Sequence, residues 1–401
     1  MLDNNLNRRE SRMDWPLWLA VGALTLIGAA FIHSVTADTD SASGLPWWRY
    51  RSTGHLIAFV VGLMAVAALC LIDYGRIARW ALVGYWLTIP MLLGVFLLPP
   101  VNGAQRWVKL GPINFQPSEL AKLTFLFAMA SFLARPAEEL RRFQNVLKAL
   151  GLALLPCALI LKEPDLGSSL VFMPMALTMM LVAGVPRKLL ARMLGFGALV
   201  TGLVLVDVLV APAGWKFIKL QGYQQRRLLV FFNVTDPSPP GSSPEQRRQN
   251  RLLMRDTAVN VDQAMIAIGS GGVVGKGWRQ GTQHSLGFLP RLGAHNDFIF
   301  SVIAEEEGFL GSITIVFLYA VVLFRGIRIA GEARDRLGRL LATGVVTLLF
   351  THIFVNIGMN IRLMPVTGIP LPLLSAGGTS VLCSLIAIGI LQNIHLYRRH
   401  Y

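Results

Sequence analysis

Residues 287–308 read GFLPRLGAHNDFIFSVIAEEEG, and their reading decides the fold. A polar, basic segment runs up to His295-Asn296-Asp297. An apolar run starts at once with Phe298-Ile299-Phe300 and continues to Phe324. Such a run is long enough to cross a bilayer as a helix. Asp297 therefore stands where a polar loop meets the membrane. That position suits chemistry on a molecule with a lipid tail and a water-soluble head. Asp is also a favoured helix N-cap, and the two roles can coexist. Eight residues further on, about 12 Å deeper on nearly the same side of the helix, come Glu305-Glu306-Glu307. Acids inside a span face a bundle interior or an aqueous cavity, or are paired or protonated there.

The same apolar pattern recurs along the whole chain. Ten spans are expected, near 16–33, 55–72, 80–98, 117–133, 146–161, 168–185, 193–210, 298–324, 340–361 and 380–397. The fifth is short and contains Pro156, which predicts a kink or tilt. Of the 401 residues, 54% are hydrophobic and 15% charged, where soluble proteins of this size carry about 25% charged residues. The fold class expected is an all-α polytopic integral membrane protein of ten helices, forming one domain over 1–401. A large extracytoplasmic loop, 211–296, lies between the seventh and eighth spans. Cys70, Cys157 and Cys383 all fall inside apolar blocks, so neither a disulfide framework nor a metal motif is implied.

Net charge is +15, from 37 Lys and Arg against 22 Asp and Glu. No nucleic-acid motif accompanies it. Arginines crowd one set of loops: Arg76 and Arg79; Arg135, Arg141 and Arg142; Arg187 and Arg192; Arg325 to Arg339; Arg398 and Arg399. By the charge asymmetry of short loops, that face and both termini are cytoplasmic. In the long loop, 211–233 is amphipathic and basic, suiting an interfacial helix. The stretch 235–255 is rich in Pro, Ser, Gln and Arg and reads as a flexible insert. A helical segment over 256–269 follows. The run Gly269–Gly277 fails the phosphate-loop pattern, because Ser270 stands at its first Gly and Gly277 at its Ser/Thr; a flexible turn is expected there.

Other polar residues stand out. Glu119 and Lys122 share one helix face at the start of the fourth span, as a local salt bridge or as the lining of a cavity open to the outside. Lys162, Glu163 and Asp165 crowd the turn before the sixth span, where Asp165 is placed to cap a helix. The segment 365–380 holds three prolines and three glycines and predicts an ordered re-entrant hairpin, approached through Asn356 and Asn360.

Taken in order, QPSELAKL (116–123), EPDLGSS (163–169), YQQRRL (223–228), IAIGSGGVVGKGW (266–278), HNDFIFSVIAEEEG (295–308) and NIGMNIRLMPVTGIPLPLLSAGGTS (356–380) resemble the SEDS family (shape, elongation, division and sporulation). The resemblance covers nearly the whole chain. GSGGVVGKGW and GIPLPLLS are more similar to its elongation branch, RodA, than to its division branch, FtsW. It implies a peptidoglycan glycosyltransferase of the bacterial cytoplasmic membrane, polymerising lipid II on the outer face. Implied partners are lipid II and the nascent glycan, a class B penicillin-binding protein as transpeptidase, and other elongation-complex membrane proteins. The family's essential acid falls on Asp297, its span-four pair on Glu119 and Lys122, its short-loop acid on Asp165, and its loop arginine on Arg226 or Arg227. This chain departs from the family pattern at Asn296, Glu307 and Ala376 and across 234–257.

The chemistry such a role needs is one inverting displacement. A general base takes a proton from the acceptor hydroxyl, and cations steady the departing diphosphate. Asp297 fits the first role; Arg226, Arg227 and Lys122 fit the second, with Glu119 holding Lys122. No cofactor is expected, with a divalent cation left open. On physics alone, a lipid II flippase or a scaffold recruiting the transpeptidase accounts for the spans as well.

Overall fold

The computed structural model describes residues 13–42, 44, 46–99, 106–110, 113–209, 222–234, 243–286 and 294–398. The main helices are α1 (Trp15–Ala42), α2 (Arg51–Cys70), α3 (Ala81–Val95), α4 (Pro117–Leu133), α5 (Phe143–Lys162), α6 (Leu166–Val182), α7 (Arg187–Leu209), α8 (Gly222–Phe231), α9 (Pro244–Ser270), α10 (Ile299–Glu332), α11 (Arg336–Asn360) and α12 (Gly378–Leu396). Among the described residues, α1, α2, α5, α7, α10, α11 and α12 are long and apolar enough to cross a bilayer. The third, fourth and sixth expected spans correspond to α3, α4 and α6. Each is shorter than the roughly 20 residues of a perpendicular crossing. The chain is a multi-pass helical membrane protein.

One departure from an all-α fold lies between α3 and α4. There β1 (Val108–Leu110) and β2 (Ile113–Phe115) pair antiparallel, with Val108 opposite Phe115. They bring the chain to Gln116 and Pro117, where proline at the first helical turn starts α4 without wasting an N–H.

The core is built on α4, α11 and α12, whose side chains are buried on most faces. The α2–α12 seam is the most extensive helix pairing. Gly62 admits Leu385 there, and Gly389 admits Val66. By contrast α7 touches little besides α6 and exposes Leu194, Phe196, Leu199 and Leu203.

The two ends of the bundle differ. At the basic end Asp14 pairs with Arg325 at 2.5 Å, Asp73 with Arg334 at 2.7 Å, and Asn393 donates to the carbonyls of Leu69 and Ile72. The opposite end carries Asp297, with the starts of α4, α10 and α12 and the C-terminal ends of α5 and α11.

The Glu305–Glu307 triplet lies at a break, not midway through a span. Gly308 has φ 65° and ψ −156°, which interrupts α10 in a conformation open to glycine. The glycine run fills the gap. Lys276 N donates to Glu305 O and Gly277 N to Glu306 O, while Phe309 N and Leu310 N donate to Gly272 O and Val273 O. A Cβ at Gly271 would meet Ala304 O at 1.9 Å, and one at Gly275 would meet Glu306 O at 2.1 Å. The expected flexible turn is thus a docked wedge that satisfies the broken ladder, because free backbone groups so close to lipid are costly. Asp14, just before α1, is level with Arg325, and Ser34 on α1 is level with Glu306. That separation is about 30 Å at 1.5 Å per residue. The acids therefore sit at the Asp297-side edge of the apolar layer, and the lipid-exposed face of α10 begins at Phe309.

The long loop also differs from expectation. Of the expected interfacial helix, 211–221 lies outside the described residues, and α8 forms its C-terminal part. Of the expected insert, 235–242 lies outside them too. The remainder is helical, as the first half of α9. A capping box joins Ser243 to Gln246 with Pro244 at the first turn, so the proline starts this helix instead of breaking it. From Ile361 to Gly377 the chain is irregular yet buried through Thr367, Ile369, Leu371 and Ser375, as a re-entrant segment must be.

Candidate active site

The backbone around Asp297 is held from one side by α11 and the segment after it. Asn356 Nδ2 and Asn360 Nδ2 both donate to Asp297 O, at 3.0 and 3.1 Å. Ser375 Oγ donates to Asn296 O at 2.6 Å, and Ala376 N to His295 O at 2.9 Å. Ser301 Oγ donates to Asn360 Oδ1, which fixes that amide. These bonds leave the Asp297 carboxylate unused. Helix α10 takes Phe298 as its N-cap, with no side-chain cap bond, so Asp297 does not serve as the cap. Among the described residues its carboxylate accepts no hydrogen bond.

What faces that carboxylate is a cation. A Cβ built on Gly368, where φ is 78°, would lie 3.6 Å from Asp297 Oδ2 and 4.0 Å from Arg227 Nη1. Arg227 Nη1 also donates to Val366 O at 3.2 Å. Of the two candidate arginines, Arg227 is the one beside Asp297; Arg226 is half-buried on the same helix. Burial lifts the Asp297 carboxyl above the ordinary carboxylate range. Arg227 and then Arg106 pull it back, and the charge of Asp165 adds to the rise.

Asp165 is spent structurally. It caps the turn at Leu166 by accepting from Ser168 N at 3.0 Å, and it accepts from Gln116 Nε2 at 2.8 Å and Ser118 Oγ at 3.4 Å. It thereby ties the start of α4 to the start of α6. Gly167 lies against Thr367 and Ile369, which joins this tie to the re-entrant segment. Next to it Glu163 is fully buried, and among the described residues neither carboxylate oxygen has a hydrogen-bond partner. Burial, and then the charge of Asp165, push its carboxyl up to about 8.

Glu119 and Lys122 form a buried ion pair at 2.7 Å, and Lys122 Nζ lies 3.0 Å from His352 Nε2. The local salt bridge is present, and the pair also lines a small cavity with His352, Pro372 and Ser384. His352 is one helical turn below Asn356, so the pair sits one turn beneath the Asp297 backbone. His352, Asn356 and Asn360 were not among the expected site residues. Their spacing of four along α11 is the signal that marks one polar stripe. Among the described residues no group of three or more His, Cys, Asp or Glu side chains could hold a metal ion.

A clamped backbone with an unspent, cation-faced carboxylate thus lies at the edge of an apolar bundle, and comparison supplies the class. The chain belongs to the FtsW/RodA/SpoVE family, described as cell cycle protein, whose family model matches residues 14–400. It is a membrane glycosyltransferase of that family. It is 34% identical over 340 residues to the peptidoglycan glycosyltransferase MrdB of Escherichia coli K12, covering 84% of each chain. It is 33% identical over 411 residues to the probable peptidoglycan glycosyltransferase FtsW of Geobacter metallireducens, covering 98% of this chain and 97% of that one. A chain of a solved peptidoglycan synthase complex, described as coordinating polymerization and crosslinking, superposes with TM-score 0.74 at 27% identity, covering 97% of this chain and 99% of its own.

Proposed function

We propose that the chain polymerises lipid II into glycan strands by an inverting displacement at Asp297. Asp297 takes the proton from the acceptor sugar hydroxyl. That oxygen attacks the anomeric carbon of the donor, and the bond from that carbon to the diphosphate oxygen breaks. The polyprenyl diphosphate leaves with the electron pair, its charge met by Arg227. Lys122, held by Glu119 one turn below, adds a fixed positive charge beneath the site. Asp165 positions the mouth of α4 and α6. The carboxyl's upward displacement brings it closer to the working range of a base at neutral pH.

The observation that carries this reading is the division of labour at Asp297: backbone clamped by two asparagines, side chain left free beside a guanidinium. The charge asymmetry of the loops supports a cytoplasmic-membrane orientation with both termini inside. The Asp297 end, and with it the long loop 211–296, then faces outward. The neighbouring synthase complex supports pairing with a class B penicillin-binding protein. Likeness of the 269–278 and 368–375 motifs to the elongation branch supports work in rod-shape maintenance rather than division.

The test is purified protein with lipid II in detergent, products sized on a gel. Glycan ladders are expected, since detergent offers no second leaflet to flip to. Absence of polymer with and without a transpeptidase partner contradicts the reading. Restoration of rod shape to cells depleted of their own elongation polymerase tests the branch.

A further inference from the structure

A groove that shares Arg227 with the site lies between α8, α9 and the chain leaving α11. Arg227 and Arg362 both line it, together with Val230, Phe231, Val261 and Met364. Two observations single out Arg362. Its backbone is left-handed, with φ 60°, a conformation costly for a residue other than glycine. Its side chain is also aimed: Nη1 donates to Asp262 Oδ1 at 3.1 Å and Nη2 donates to Asn233 Oδ1. Partners from α9 and from the end of α8 thus hold one guanidinium at the rim of an apolar groove.

We propose that this groove is a subsite for a prenyl diphosphate, its two phosphates held between Arg227 and Arg362 and its first isoprene units lying on Val230, Phe231, Val261 and Met364. The proposal rests on the function given above and adds the residue and the place. A guanidinium has five N–H donors, and Asp262 and Asn233 engage two of those on Arg362. The remainder can meet phosphate oxygens, for which planar guanidinium groups are well matched. Arg362 is also partly open, its side chain 29% exposed, so a ligand can reach it. Phe232, Val259, Ile361 and Leu363, close in sequence to the lining residues, also expose apolar surface. Asp262 orients the guanidinium and offsets its charge until an anion arrives.

The alternative is that Arg362 only latches α8 and α9 to α11. Binding of farnesyl diphosphate to the full-length protein in detergent separates the two, with farnesyl monophosphate and farnesol as controls. Arg362→Gly removes the guanidinium and suits the left-handed backbone, so the fold is retained; a thermal melt checks this. Asp262→Asn breaks the latch and leaves the cation. Arg362→Gly is expected to weaken farnesyl diphosphate binding at least tenfold while leaving farnesol binding within twofold. Asp262→Asn is expected to keep diphosphate affinity within threefold of the parent or tighten it. Equal losses in the two variants, or no loss in Arg362→Gly, overturn the proposal. Because binding is read without turnover, parent protein that polymerises lipid II while Arg362→Gly binds normally sinks this inference and leaves the function standing. Parent protein that makes no polymer sinks the function instead. The donor and acceptor are both lipid-linked diphosphates, and product inhibition tells them apart. A donor subsite predicts that Arg362→Gly relieves inhibition by released prenyl diphosphate in proportion to its loss of affinity.

Discussion

Asp297 and Glu305 lie eight residues apart around the start of one helix, and the molecule treats them oppositely. Glu305 Oε1 accepts from Lys276 Nζ at 2.5 Å, Thr282 N at 2.8 Å, Thr282 Oγ1 at 3.0 Å and Gln283 N at 3.0 Å. Its neighbour Glu306 accepts from Ser34 and from Arg279 N. Those carboxylates sew the glycine wedge and α1 to the broken helix. At Asp297 it is the main chain that is sewn in, and the side chain has no such duty. Acids near lipid are expensive, so each has a use. The contrast distinguishes acids whose side chains are used for holding from one whose side chain is left unspent.

The contrast is broken most readily by exchanging one oxygen for nitrogen at each place. Asp297→Asn is expected to lower polymerisation by about 100-fold or more, the usual scale for losing a general base, with the thermal melt unchanged. Glu305→Gln is expected to cost on the order of 3 kcal/mol of stability, because it strips a buried carboxylate from its lysine, while folded molecules stay active. An inactive but fully stable Glu305→Gln protein removes the distinction.

The buried pair beneath the site sharpens it next. Either Glu119→Gln or Lys122→Met alone should destabilise by about 3–5 kcal/mol, leaving one buried charge unpaired. The double substitution should cost less than the sum, as a denaturation series on all three variants would show. If the singles are harmless to the fold yet lower activity, the pair belongs with Asp297 and not with Glu305.

Glu163 offers a smaller effect with a definite sign. Its carboxyl is raised from 4.5 to about 8 by burial. Below pH 4.5 it is protonated whether the chain is folded or not, and it costs nothing. As pH climbs from about 4.5 to 8, the unfolded chain releases the proton first, and folded stability falls. Glu163→Gln should remove that slope, so its melting temperature should gain on the parent most near pH 8. Parallel melting curves across that window count against a neutral, buried Glu163.

Much of this was legible in the sequence, for identifiable reasons. Long apolar runs set the spans, and α4 begins and ends at the residues expected, because Pro117 opens it. Asp297, Glu119 and Lys122 stood out as charges where charge is costly. The helix break at Gly308 was not legible, since it depends on a wedge some thirty residues upstream docking against it; a glycine in an apolar run gives no warning. The capping signal Ser243-Pro244-Glu245-Gln246 was present, but a proline-rich, polar setting outweighed it. The stripe His352, Asn356, Asn360 was also readable by period, although the asparagines marked only an approach to the loop. Which arginine of the pair meets Asp297 depends on how α8 lies against Val366 and Gly368, which spacing alone does not determine.

The pH dependence of polymerisation, measured side by side for the parent and Arg227→Met, tests the central claim most directly. A base must be ionised to accept a proton, so activity should fall on the acid side through the Asp297 pKa. Burial raises that pKa and Arg227 lowers it. Removing Arg227 should therefore carry the acid limb to higher pH, beyond any loss in rate at the plateau. An acid limb that stays in place, or measurable polymer from Asp297→Asn at high pH, would contradict a proton accepted by this carboxylate.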